Sequence, residues 1–180
     1  METTLATIAQ ILDRLMRRLG IEPGPVFDRH GIERAVLADP TARLPADAVD
    51  AVMRDVGMRC GDPAYGLLAA HCWHPTQLGA LGHAWLASST LRRGVERLER
   101  YFQLIGQRTA IALRDDPDGL AVVLANPRDD PIVAAAVTDI AFSVFASMCR
   151  MNAGERFRPA RVDLMRTAPP DPSPWDRAFG

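Results

Sequence analysis

Residues 107–151 read QRTAIALRDDPDGLAVVLANPRDDPIVAAAVTDIAFSVFASMCRM, and two periodicities meet within them. Gln107 to Arg114 and Gly119 to Asn126 are short aliphatic and β-branched runs joined by Asp115-Asp116-Pro117-Asp118, the pattern of an antiparallel hairpin. From Asp130-Pro131 to about Met151 the chain reads as one helix, because aspartate is a good N-cap and proline suits the first helical turn. That helix is apolar almost all round, which marks it as buried and central. A two-stranded hairpin is barely stable alone, so helices must cover one of its faces. The expected fold is α+β, with helices packed on a small, mainly antiparallel sheet and a long buried helix after a β-hairpin.

Upstream, Leu5, Ile8, Leu12, Leu15 and Leu19 recur at helical spacing and predict a first helix from about Thr4 to Leu19, ended by Gly20. IEPGPVFDRHGI (21–32) holds a short helical turn at Val26 to His30, and ADPTARLP (38–45) reads as a connector. Asp47 to Cys60 predicts a helix burying Val49, Val52, Met53 and Val56, and Asp62-Pro63 opens a further short one. In HPTQLGALGHAWLASSTLRRGVERLERYFQLI (74–105) two helices meet at Ser88-Ser89-Thr90. The first carries Gly79 and Gly82 although it must bury Leu78, Leu81 and Trp85, and each helical glycine costs roughly 1 kcal/mol relative to alanine. Three residues apart, the two glycines bare a helical surface that another backbone or a ligand approaches closely. ARVDLMR (160–166) reads as a last strand. The expected division is one domain over 1–166, with the proline-rich 167–180 as a linker or edge segment.

Composition narrows the function. The chain has 180 residues, 48% hydrophobic and 24% charged, and no apolar run that reads as the roughly 18 residues needed to cross a bilayer. Its N-terminus lacks the pattern of a signal peptide, so the expectation is a cytoplasmic protein without a membrane. Cys60, Cys72 and Cys149 are odd in number and widely spaced, which argues for buried free thiols rather than a disulfide framework. A net charge of -1 argues against DNA or RNA binding by these residues themselves. All 21 basic residues are arginine, a feature of genome composition rather than of function.

No catalytic or phosphate-binding motif stands out, and no nucleophile pairs with a base, so an enzyme is not expected. His71, Cys72 and His74 come closest to a metal site, but no second ligand pair of matching spacing accompanies them, and neither a metal nor a cofactor is expected. Asp139 differs from the other carboxylates because it sits in the middle of the apolar helix, where a charge must be paired. Arg108 or an arginine of residues 92–100 is the expected partner, and the small stripe of Ala136, Asp139 and Ser143 is a candidate cavity lining. The aromatics Trp73, Trp85, Tyr101, Phe102, Phe142 and Phe145 flank the hairpin, either as core or as walls of an apolar pocket.

DPAYGLLAA (62–70) followed by residues 74–105 resembles the N-terminal regulatory domain of AraC-type bacterial transcription regulators, in the branch called arabinose-binding-like. The resemblance extends over Asp62-Pro63, Gly66, Gly79-x-x-Gly82, Thr90-Leu91, Tyr101-Phe102, the hairpin, the long helix and Phe179-Gly180. It implies a domain that senses a small-molecule effector or mediates dimerisation, with DNA bound only through a separate C-terminal pair of helix-turn-helix motifs. The branch name does not make arabinose the ligand. The expected pocket is roofed by the glycine-bearing helix, floored by the hairpin and closed by the Asp139 stripe. Its candidate ligand-binding residues are His83, Trp85, Arg108, Asp139 and Phe142. Arg108 would pair with an acidic ligand group, Trp85 and Phe142 would give apolar walls, and His83 and Asp139 would set polarity. The alternative is a ligand-free homodimerisation or interaction module of the same regulator.

Overall fold

The structure, a computed structural model, describes residues 1–117 and 119–180. The decisive stretch folds as its periodicities predict. Strands β3 (Ala110–Asp116) and β4 (Gly119–Ala125) pair antiparallel with Ile111 opposite Leu124 and Leu113 opposite Val122. Asp118, in the expected turn, lies outside the described residues. Helix α6 (Pro131–Ala153) follows, and Asp130 caps it by accepting hydrogen bonds from the backbone N–H groups of Ile132 and Val133. The fold is α+β, with two small two-stranded antiparallel sheets among the described residues rather than one.

The second sheet was hidden by helical spacing. Thr3–Leu5 forms β1, which pairs antiparallel with β2 (Arg43–Pro45), and the first helix, α1 (Ala9–Arg18), starts five residues later than expected. On its other side β1 meets the segment before the hairpin: Leu5 N–H donates to the Ile105 carbonyl, and Gln107 N–H to that of Thr3. The N-terminus is thereby tied to the root of the hairpin. Helix α2 (Pro23–Arg29) and helix α3 (Ala46–Cys60) complete the first half; a 3-10 segment, Tyr65–His71, then lies against α6.

That contact requires Gly66. A Cβ there would stand 2.9 Å from the Asp139 Cβ and 3.0 Å from the Ala136 carbonyl oxygen. The two glycines of residues 74–105 prove to serve different ends. Gly79 is not inside a helix: it separates a 3-10 turn (Pro75–Leu78) from α4 (Ala80–Leu86) with φ of 59°, a conformation L side chains rarely adopt. Gly82 is the close approach, because its Cβ would fall 1.8 Å from the Pro75 carbonyl oxygen. The visitor is the chain's own backbone.

Helix α5 (Leu91–Tyr101), capped by Thr90, packs Gly94 flat on the Trp85 ring. The main core lies between α1, α3, α5, α6 and one face of the hairpin. No strand forms over 160–166; Val162 and Leu164 instead pack against a smaller apolar cluster. Within 167–180, helix α7 (Ser173–Phe179) buries Trp175 and Phe179 in that cluster, with Pro174 in its first turn. By length and composition α6 would suffice to cross a membrane, contrary to the expectation of no such run, but half of its apolar window is buried and Asp139 interrupts it. Here it is the helix around which the other elements pack.

Candidate functional site

The hairpin covers α6 incompletely. Between the inner face of β3–β4, the flank of α6, the start of α3 and β1 lies a half-enclosed cavity of about 160 Å³. Ile8, Met53, Phe102, Ile111, Val122 and Phe142 are among its apolar walls. Alternation along the strands supplies the floor: Ile111, Val122 and Leu124 sit on the same face by register.

One end is polar and is built by long-range pairing. Arg108, just before β3, donates from Nε to Glu2 (2.7 Å), from Nη1 to Asp50 (2.7 Å) and from Nη2 to Asp47 (2.6 Å). Asp47, in the first turn of α3, and Asp50 are three apart and so share a face. Arg128, in the loop between β4 and α6, donates from Nε to the same Asp50 Oδ2 (2.9 Å) and from Nη1 to Thr109 and Asn126. Asp50 thus bridges two arginines that flank the open end of the hairpin, one before β3 and one after β4. The hydrogen bonds to Glu2 and Asp47, with that to Asp50, push the pKa of Arg108 even above its ordinary high value, so it stays charged.

Of the five candidate residues, Arg108 and Phe142 line this cavity. Trp85 stands behind its wall: it is buried, donates its indole N–H to the Met148 carbonyl (3.2 Å) and packs edge-to-face on the lining residue Phe145 at 6.1 Å. His83 is exposed on α4, with Nδ1 3.2 Å from the Gly79 carbonyl. The roof expected from α4 is therefore absent, and α6 and α3 take its place.

Asp139 lies elsewhere, in a second polar cluster. It is fully buried, and its Oδ1 accepts hydrogen bonds from Arg166 Nη2 (2.7 Å) and Trp175 Nε1 (3.0 Å), while Oδ2 has no partner among the described residues. Its partner is Arg166 of the segment before α7, and not Arg108 or an arginine of α5. Burial pushes the Asp139 carboxyl above its ordinary pKa despite the adjacent guanidinium, which itself stacks on Trp175 at 5.1 Å. At the far end of α7, Arg150 Nη2 donates to the Ala178 carbonyl (2.7 Å), so α6 grips α7 at two points. Phe142 joins the two regions: it lines the cavity and packs against the cluster holding Trp175 and Phe179.

Sequence reading missed Asp50 and Arg128. Both sit where turn and helix-start chemistry already accounts for charge, and only the fold brings them together. Among the described residues no cluster of His, Cys, Asp and Glu is arranged to hold a metal. Cys72 and Cys149 are buried free thiols, and desolvation raises the pKa of both, that of Cys149 to about 12. A second, more open cleft of about 260 Å³ is polar, with Gln10, Asp13, Arg14 and Arg34 around it. Asp13 there is already paired with Arg17 and Arg34.

Residues 20–180 match the family described as the arabinose-binding domain of AraC transcription regulators, N-terminal. The chain is also similar to the ornithine utilization regulator of Pseudomonas aeruginosa, at 25% identity over 174 residues. That match covers 96% of the chain but 51% of the relative, so the chain spans about half of that protein's length.

Proposed function

The chain belongs to the family of N-terminal arabinose-binding domains of AraC transcription regulators, and from that premise we propose that it is an effector-sensing unit whose ligand site is the cavity between the hairpin and α6. The family consists of transcription-regulator domains and is not a class of enzymes. The observation that carries the reading is an apolar space of ligand size with one charged end, the usual form of a small-molecule site. Occupancy acts on a separate DNA-binding domain, in the cytoplasm and within a homodimer. A ligand that binds one arrangement of α6 and α7 better than another shifts the population between them. Phe142, between the cavity and the α7 cluster, supports that route. Of the five residues expected at the site, Arg108 and Phe142 are retained as ligand contacts. Trp85 supports the wall, and Asp139 serves the coupling to α7.

The relative's name assigns it control of ornithine use, which makes ornithine one natural compound in a screen of amino acids, carboxylic acids, sugars and aromatic compounds. A ligand at about 100 times its Kd adds about 2.7 kcal/mol, which for a chain of this length raises the melting temperature by roughly 5–10 °C. The expected result is a saturable rise that Val122→Phe, which fills the cavity, removes. A rise that survives Val122→Phe places the effector elsewhere. No rise across the screen, with a stable dimer, favours the alternative of an interaction module. That alternative draws on the exposed Tyr101 and Leu104 at the end of α5.

A further inference from the structure

The polar end of the cavity is unevenly satisfied. Arg128 has a side chain only 9% exposed, with Nε on Asp50 and Nη1 on Thr109 and Asn126, yet its Nη2 donates to nothing among the described residues. Nη2 is not one of the buried polar atoms left without a partner, so it is the part of this otherwise enclosed guanidinium that an incoming acceptor can reach. Across Asp50, Arg108 has the opposite character. Every nitrogen is engaged, but Glu2 and Asp47 are 50% and 76% exposed, and ion pairs to such exposed carboxylates contribute little. Either carboxylate swings into water at small cost. Asp50, at 12%, holds both arginines in place.

The rest of the cavity offers almost no hydrogen bonding, and its volume of about 160 Å³ compares with the roughly 150 Å³ of an engineered apolar cavity that accepts benzene. We propose that the effector is a compact apolar molecule with a single carboxylate, its body against Ile111, Val122 and Phe142 and its carboxylate on Arg128 Nη2 and Arg108. On binding, that carboxylate replaces Glu2 or Asp47 at Arg108. This rests on the reading of the cavity as the effector site and specifies its ligand. Two arginines face three carboxylates before binding, so an added anion is accommodated only by releasing an exposed one. Guanidinium groups bind a carboxylate through paired charge-assisted hydrogen bonds, which a neutral amide does not match. The walls select against other chemistries. A sugar brings several hydroxyls, each unfavourable to bury unpaired, and a dibasic amino acid brings a second charge with no partner among the apolar wall residues.

Calorimetric titration of the chain with benzoate, cyclohexanecarboxylate and isovalerate, each beside its neutral amide, tests the proposal, with ornithine and arabinose as contrasts. At least one carboxylate is expected to bind about tenfold or more tighter than its amide, with an affinity that falls as salt is added. Arg128→Gln and Arg108→Gln are each expected to remove most of that preference while the amide's affinity stays within about twofold. Melting curves establish that the variants are folded, and Arg108→Gln carries the comparison should Arg128→Gln not fold. Acid and amide binding alike, or a preference that survives in both variants, overturns the carboxylate assignment and leaves the cavity as the site. Binding of none of the carboxylates, the amides, ornithine or arabinose overturns the assignment and the cavity reading together. Tight binding of ornithine or arabinose, lost in Val122→Phe, keeps the cavity and refutes the ligand class.

Discussion

Two clusters of arginine and aspartate hold this domain together, and they differ in how much each member matters. At the cavity mouth, Arg108 and Arg128 share Asp50 and draw on Glu2 and Asp47, partly in water. Beneath α7, one fully buried aspartate meets one arginine and one indole, with an oxygen left over. The first arrangement is redundant and exchangeable, as suits a site where an incoming group must displace a resident one. The second has no spare partner. Removing Arg166 leaves the buried carboxylate with the Trp175 N–H alone, whereas Arg166 also donates to the Ala135 carbonyl, so the cluster fixes the C-terminal segment on α6 rather than exchanging ligands.

The sharpest way to break that contrast is Arg166→Ala. It leaves the Asp139 charge buried beside Trp175 alone, and removing one partner of a buried pair costs about 3–5 kcal/mol. Thermal unfolding is expected to show a fall of roughly 10 °C. A loss below about 1 kcal/mol would place Asp139 in contact with water and end the distinction between the clusters.

The pH dependence sharpens it next. Because the folded-state pKa of Asp139 is raised, folded protein holds a proton that the unfolded chain has released. The resulting stabilisation is fully present below the ordinary carboxylate range near 3.9 and is lost as pH rises through the raised value. Arg166→Ala removes a group that opposes the shift, so its deficit is expected to be smaller near pH 4 than near pH 8 in melting curves. Asp139→Asn is expected to flatten the wild-type dependence. A deficit that grows in acid instead would reverse the sign of the argument.

The smallest effect belongs to the mouth. Arg108→Gln is expected to cost about 1 kcal/mol in denaturant unfolding, because Asp50 keeps Arg128 while Glu2 and Asp47 turn to water. A cost of about 3 kcal/mol would make the mouth a structural clamp like the Asp139 cluster.

What the sequence disclosed follows from range. The hairpin and α6 were legible because period, turn residues and the Asp130-Pro131 cap act within a few residues of one another. That Asp139 needed a partner was equally local, since an acid amid apolar neighbours demands one. Which arginine answered was not, because Arg166 reaches it across an irregular segment that carries no periodic signal. Strand β1 was masked by Leu5, whose spacing to Ile8 and Leu12 continues the helical pattern backward. Trp175 and Phe179 lay in a proline-rich stretch, where Pro174 in fact starts a helix. At the cavity, Phe142 and Arg108 were named from sequence, while Asp50 went unnamed because the pairing that distinguishes it, to Arg108 and Arg128, is long-range. Whether Trp85 faces the cavity or backs its wall depends on the packing of Gly94 and Phe145 around its ring, which spacing along one helix does not encode.

The central claim is that small molecules enter the space between hairpin and α6. Methyl-resolved NMR of the chain, titrated with whichever compound raises its melting temperature most, tests it directly. The account predicts saturable shifts at Ile111, Val122 and Leu124, extending through α6 to Val162 and Leu164 beside α7. Shifts confined to Leu37 and Ala38 at the polar cleft, with the hairpin methyls unmoved, would contradict it.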